Sequence, residues 1–323
     1  MTSPGLIFSS VVFHGRVKEA PNGRAGTSQV VKQNGSTKGL VMMCFALVSA
    51  LVTVVLLGTS KSACAFEAVR EQLCRREDFK VAIDVGHDRE KPGAASATGV
   101  PEFVFNQRLA RRLATELNRR GFTSTLLIGE DGDPIELTQR ARLAKRFDAD
   151  AFVSVHHDAV QPRYLESWIV NGRERHHSER FSGYSLFFST KNGTPRLSLL
   201  LAFLMGEEMT RRGLRPSLHH AEPIEGEGRP LIDVERGIYR FDDLVVLKSS
   251  SMPAVLFEAG VIVNRTEEGL LMEEAHQDTL VAALREAIQH LCTIVSTPAV
   301  PPDQDSSVPR PARSINRAGS QHQ

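Results

Sequence analysis

Two histidines and two glutamates, spread over more than half of the chain, have side chains suited to hydrolytic chemistry. They are His87 in Ile83-Asp84-Val85-Gly86-His87, Glu102 in Gly99-Val100-Pro101-Glu102, His156 in Val153-Ser154-Val155-His156, and Glu258 in Pro253-Ala254-Val255-Leu256-Phe257-Glu258-Ala259-Gly260. Two imidazoles and a carboxylate are the protein ligands of a catalytic zinc that keeps a position open for water. A further carboxylate is what such a site needs as general base. The candidate ligands of one Zn2+ are therefore His87, Glu102 and His156, and the candidate base is Glu258. Direct ligation is the rival role for Glu258, because a carboxylate ending an apolar strand must be paired, metal-linked or functional. Singly, each residue is weak evidence: a strand-end histidine is commonly structural, and a glutamate at a helix start is favoured by the dipole alone. The set of four is far more specific than its members.

The neighbours of these residues suggest how they are held. Gly86 allows a sharp turn at the strand end, aiming the His87 imidazole over the sheet edge. Asp84 shares a face with that position and is a candidate supporting contact. Adjacent strand residues point to opposite sides, so only one of His156 and His157 can enter the site, and His156, on the face of Ser154, is taken as the ligand. Asn106 is one helical turn beyond Glu102 and could orient a ligand or substrate.

The elements that must position these groups alternate. Lys80–Val85 reads as a strand, and a helix opens at Pro101, with Phe105, Leu109, Leu113 and Leu117 at spacing four until Gly121. Strands are expected at Thr123–Ile128, Ala151–His156, Tyr184–Ser189, Leu244–Leu247 and Ala254–Phe257. Helices are expected from Asp133-Pro134 through Ala144, from Pro195 to Arg212, and as one long closing helix from Thr266 to Cys292. The alternation implies an α/β fold of three layers, a mostly parallel twisted sheet with helices on both faces. Ligands of such sheets bind outside the strand C-termini, where all four candidates fall. Two polar stretches break the pattern, Gln161–Ser182 with the only tryptophan, Trp168, and Leu214–Asp243; either could be a substrate wall or a lid. His176, His177, His219 and His220, within them, read as surface histidines.

Lys and Arg number 39 against 38 Asp and Glu, so charge balance provides no ground for nucleic-acid binding. Residues 39–58 form an uncharged, mostly apolar run, long enough to span a bilayer as a helix. The basic excess before it puts residues 1–38 in the cytoplasm and exports the rest, to the periplasmic side of the inner membrane. Ala63-Cys64-Ala65 follows as a signal-peptidase pattern, so a retained membrane anchor and a cleaved signal stand side by side. Residues 59–79 then read as linker, 80–293 as one catalytic domain and 294–323 as a disordered proline-rich tail. Export permits a disulfide, and Cys74 and Cys292, flanking the folded unit, are its candidate partners.

From about Lys80 to Leu291 the chain resembles the zinc-dependent N-acetylmuramoyl-L-alanine amidases of the type 3 catalytic domain. The resemblance rests on Asp84-Val85-Gly86-His87 with Pro92-Gly93-Ala94, on Gly99-Val100-Pro101-Glu102 with Asn106, and on Ser154-Val155-His156. It continues in Gly183-Tyr184-Ser185-Leu186-Phe187-Phe188, in Val246-Leu247-Lys248, and in the run from Pro253 through Asn264. It implies zinc on His87, Glu102 and His156, catalysis by Glu258, and hydrolysis of the bond between the lactyl group of muramic acid and the first L-alanine of the peptidoglycan stem. Asp158 and Asn264, inside the matching motifs, join Asp84 and Asn106 as candidates for supporting or substrate contacts. Departures are Asp88-Arg89-Glu90 where the family commonly has glycines, His157-Asp158 where Ala-Asn is usual, and a long Gln161–Ser182 stretch. The expected partners are peptidoglycan, the membrane through the N-terminal segment, and an activator protein. The rival functions are another zinc peptidase acting on cell-wall peptides and a non-catalytic wall-binding scaffold.

Overall fold

A computed structural model describes residues 74–297. The expected membrane segment at 39–58, the export signal around Ala65, most of the linker and nearly all of the tail lie outside the described residues. None of the helices among the described residues is long and apolar enough to cross a membrane.

Among the described residues, nine strands and six α-helices follow in chain order: β1 (Val81–Val85), α1 (Glu102–Arg119), β2 (Thr125–Ile128), α2 (Leu137–Phe147), β3 (Ala151–Asp158), β4 (Glu166–Val170), β5 (Arg173–His177), β6 (Ser185–Phe188), α3 (Pro195–Arg211), β7 (Leu231–Asp233), β8 (Ile238–Arg240), α4 (Val245–Lys248), β9 (Ala254–Val261), α5 (Arg265–Met272) and α6 (Glu274–Ser296). Seven strands form one sheet in the order β2-β1-β3-β9-β6-β8-β7. Its first four strands are mutually parallel, β6 runs against β9, and β7 runs against β8. All five residues of β1 are buried, because helices cover both faces and polar alternation has no water to meet.

One face carries Ile83, Val85, Val153, Val155, Val255 and Phe257 against α1, α3 and α6. Phe105, Leu109, Leu113 and Leu117 are all buried in that layer, as their spacing on α1 predicts. The opposite face packs Ala82, Phe152, Ala254 and Leu256 with Ala144 of α2 and Leu247 of α4. The central strands β1, β3 and β9 therefore send alternate residues into two separate cores, which fixes their register against a one-residue slip.

Several elements differ from the sequence reading. The helix expected at Asp133-Pro134 begins only at Leu137. Residues 245–248, expected as strand, form a single helical turn, since a short apolar run suits either conformation. The closing helix is two helices, broken at Glu273, whose ψ of 134° is extended. Gln161–Ser182 contains the separate hairpin β4–β5, turned at Asn171-Gly172 with φ of 51° and 71°. Trp168 of that hairpin donates its Nε1–H to Ala97 O at 2.9 Å, so the hairpin braces the loop leading to Glu102. A Cys74–Cys292 disulfide joins the residues before β1 to the last turns of α6.

Candidate active site

Strand pairing determines which side chains can meet. β1, β3 and β9 are neighbours, with Asp84 opposite Ser154 and His156 opposite Glu258. Residues paired across parallel strands share a face, so His156 and Glu258 project from adjacent strands on the α2 side of the sheet. His157 projects to the α1 side, where its Nδ1 lies 2.7 Å from Asn106 Oδ1, buried beside the Phe105 ring. Burial in that apolar layer pushes His157 down to about 3, so it is neutral at working pH. Past His156 the β3–β9 register shifts, as β9 advances three residues, Glu258 to Val261, against two on β3. An extra residue of this kind bends a strand and re-aims side chains near a site.

His87 follows β1, and it, rather than Gly86, has the left-handed backbone, with φ of 67°. This corrects the reason given above for Gly86. A Cβ on Gly86 would lie 2.4 Å from both Cε1 and Nε2 of His156, so that glycine makes room for the imidazole. The strained turn at His87 is held by Arg140 of α2, which the sequence reading missed. Arg140 donates to His87 O at 2.7 Å and Asp84 Oδ1 at 2.8 Å, and also to Val85 O. Asp84 Oδ2 accepts from Ser154 Oγ at 2.7 Å. Asp84 thus anchors Arg140 and Ser154; its contact with the His87 loop runs through the guanidinium.

Glu102, buried at the start of α1, lies between the two histidines. Its Oε2 is 3.0 Å from His87 Nε2 and its Oε1 is 3.1 Å from His156 Nδ1. Asn106 Nδ2 donates to Glu102 Oε1 at 3.0 Å and to Gly86 O at 3.1 Å, and Ala94 N donates to Oε2 at 3.2 Å. Burial opposes charge on Glu102, but hydrogen bonds from His156 and His87 hold its carboxyl well below the usual carboxylate range. Burial likewise opposes charge on His87, and its hydrogen bond with Glu102 outweighs that to raise it above the ordinary imidazole value. Donor atoms of His87, Glu102 and His156 lie within 4.8 Å of one another. A Cβ on Gly93 would sit 2.4 Å from Glu102 Oε2 and 2.8 Å from His87 Cδ2, so the backbone closes tightly around these donors. Two imidazoles and an ionised carboxylate in a tight cradle fit zinc, which prefers this borderline nitrogen and oxygen set.

Glu258 Oε2 is buried without a hydrogen-bond partner. Burial, with Asp158 and Glu102 nearby as like charges, raises its pKa well above the ordinary glutamate value. On the α2 side a cleft of about 400 Å3 opens beside His87 and His156, lined also by Lys91, Ile135, Leu137 and Val246.

The other singled-out residues lie as follows. Asp158 ends β3 with its Oδ2 2.7 Å from His220 Nε2 and 3.3 Å from His219 Nε2. Asn264 caps α5, accepting from Thr266 N and Glu267 N at 3.0 and 3.1 Å and donating to Phe181 O. The surface reading of the paired histidines fails for three of the four. His219 and His177 are buried, the His220 side chain is only 12 % exposed, and His176 alone is exposed. Irregular loops carry no periodicity from which such burial could be read.

A family model described as N-acetylmuramoyl-L-alanine amidase matches residues 81–290. N-acetylmuramoyl-L-alanine amidase AmiA of Escherichia coli is 26 % identical over 217 residues, covering 64 % of this chain and 74 % of that protein. N-acetylmuramoyl-L-alanine amidase AmiC of Neisseria meningitidis is 25 % identical, covering 65 % of this chain and 51 % of its own, so the match spans about half of that relative. Among solved structures, the amidase Ami1 of Mycobacterium smegmatis superposes with a TM-score of 0.51 at 19 % identity, covering 67 % of this chain and 97 % of that one. The catalytic domain of CwlV from Paenibacillus polymyxa does so with a TM-score of 0.50 at 23 % identity, covering 66 % and 97 %. Both likenesses extend to the fold.

Proposed function

The chain belongs to the N-acetylmuramoyl-L-alanine amidase family, and from that premise we propose a zinc amidase whose metal ligands are His87, Glu102 and His156 and whose base is Glu258. Its reaction is hydrolysis of the amide between the lactyl group of N-acetylmuramic acid and the L-alanine of the peptidoglycan stem. The observation that carries the assignment of roles is the direct pairing of His156 with Glu258, a donor and an unpartnered carboxylate side by side at one sheet edge.

Bound zinc would supply a Lewis acid that polarises the scissile carbonyl and acidifies water to a pKa of roughly 7. The protein supplies the remainder. Glu102, kept ionised between two imidazoles, provides the negative charge of the ligand set. Asn106 locks that carboxylate by donating to Oε1, and Arg140 holds the backbone oxygen of His87. The free Oε2 of Glu258 takes a proton from the attacking water and returns it to the departing alanine nitrogen. Burial and the neighbouring carboxylates Asp158 and Glu102 raise the pKa of Glu258 above the ordinary glutamate value, the direction a proton-shuttling acid requires. The cleft of about 400 Å3 along His87, His156 and Ile135 lies beside the proposed ligands, where substrate would approach. The apolar segment at 39–58 and the basic residues before it support action on the exported side of the membrane, anchored or secreted, with room for an activator protein.

Mass spectrometry of products after incubating the full chain with purified peptidoglycan, with and without a zinc chelator, tests this reading. Stem peptides with a free L-alanine amine, released only without chelator, are expected. Shortened stems left on the glycan would make the protein another cell-wall peptidase, and a bound but uncleaved polymer would make it a scaffold.

A further inference from the structure

Asp158, His219 and His220 form a second group of metal-type donors, none of them shared with His87, Glu102 and His156. The two Nε2 atoms converge on one oxygen, Asp158 Oδ2, at 3.3 and 2.7 Å, and the rings are 3.9 Å apart between centroids. The far nitrogen of each ring is engaged: His219 Nδ1 lies 2.8 Å from Ser217 Oγ, and His220 Nδ1 lies 3.0 Å from Glu227 Oε2. An ionised carboxylate only accepts, so His220 Nδ1 donates to Glu227, and the Ser217 hydroxyl can accept from His219 Nδ1 in the same way. With an ion bound, each ring would be neutral and its Nε2 lone pair would face the metal beside Asp158. Metal-ligating histidines have this arrangement, one nitrogen fixed by an outer oxygen and the other presented to the ion.

Two further observations point to a cation. His219 is 2 % exposed, and its Nε2 is buried without a hydrogen bond although aimed at Asp158. Secondly, three carboxylates, Asp158, Glu227 and Glu258, gather around this volume. Glu227 and Glu258 line one cavity of about 150 Å3 with His220, and Asp158 reaches His220 from β3. Gathering buried acids calls for a compensating cation, either a bound metal ion or His220 itself, whose pKa burial lowers but Asp158 and Glu227 raise to about 9.

We propose that Asp158 Oδ2, His219 Nε2 and His220 Nε2 bind a second divalent transition-metal ion of the zinc type. Two imidazoles and one carboxylate suit zinc and its first-row neighbours, whereas calcium and magnesium require mainly oxygen. The ion fastens the segment around Ser217–Glu227 to the end of β3, beside Glu258. Its occupancy is independent of which bond the enzyme cleaves, because the readout is metal content.

The test is zinc titration of the full metal-stripped chain, using zinc ions alone, with bound metal counted by elemental mass spectrometry. Two equivalents are expected in the wild type, one in Asp158→Asn and in His219→Gln/His220→Gln, and one in His87→Ala/His156→Ala. One equivalent in the wild type with none in His87→Ala/His156→Ala overturns the proposal, as do two equivalents in Asp158→Asn. Should a variant fail to fold, anomalous diffraction from zinc-loaded wild-type crystals decides. A peak among Asp158, His219 and His220 is expected, and its absence means that His220 bridges the two carboxylates as an imidazolium, with no metal.

Discussion

His156 and Glu258 stand opposite each other on neighbouring parallel strands, and that single register places a candidate metal donor beside an unpartnered carboxylate. A shift of one residue in β9 would turn Glu258 into the α1 layer, away from His156, and drive Val255 and Phe257 out of that layer. The two apolar cores that flank the sheet therefore guard the chemistry as well as the fold.

The Gly86→Ala variant separates metal binding from stability. Its methyl group would meet the His156 ring at 2.4 Å, and Gly86 has an ordinary negative φ that alanine tolerates. Zinc affinity should fall by 10-fold to 100-fold or more, on the scale of lost ligand positioning. Melting of the zinc-free protein should change little. Unchanged zinc affinity in Gly86→Ala would remove His156 from the ligand set.

Arg140 and Asp84 form a pair almost wholly shielded from water, with side-chain exposures of 3 % and 2 %. Arg140→Met leaves Asp84 with only Ser154 and should cost about 3–5 kcal/mol, as for a buried ion left without its partner. Arg140→Met/Asp84→Asn should recover part of that loss. Denaturant unfolding of the two variants checks the difference, and equal stability would show that the pair is not coupled.

Glu267 accepts from Gly183 N at 2.7 Å and Val261 N at 2.8 Å, yet burial pushes its pKa up to about 7. An acid with a higher pKa in the folded chain contributes stability below its unfolded value, 4.5, and loses it as pH rises through the folded value. Wild type should therefore lose up to about 3 kcal/mol relative to Glu267→Gln between pH 4.5 and 7. Unfolding free energies of both chains across that range give the slope. A flat difference would mean that the two backbone hydrogen bonds keep Glu267 ionised throughout.

The Cys74–Cys292 bridge closes a loop with a sequence separation of 218. By the chain-entropy account, a loop of that size contributes roughly 5 kcal/mol by restricting the unfolded chain. Cys292→Ala should lower the melting temperature by 10 °C or more, at roughly 2–4 °C per kcal/mol for a domain of this size. Reduction of the wild type should reproduce the effect, and a melting temperature insensitive to reductant would contradict it.

The four principal candidates were legible because a strand's C-terminal end can be read from its apolar run, and alternating elements place those ends along one edge. Pairing partners were not legible, since register depends on contacts between segments far apart in the chain. Arg140 was missed because an arginine amid polar helix residues reads as solvent-facing; only the fold brings Asp84 beneath it. The burial of His219 and His220 arose the same way, from loop residues folding back on Asp158. The β4–β5 hairpin did leave a signal, the Asn171-Gly172 pair, whose two positive φ values suit a tight turn.

Release of free L-alanine amino termini from peptidoglycan, measured per bound zinc in wild type and Glu258→Gln, tests the central claim most directly. The glutamine keeps the shape of Glu258 but cannot move the proton, so release should drop by about 100-fold to 10,000-fold. Zinc bound at His87, Glu102 and His156 should be unchanged, as judged against His87→Ala/His156→Ala. Full activity in Glu258→Gln would end its role as base, and loss of that zinc would make Glu258 a ligand instead.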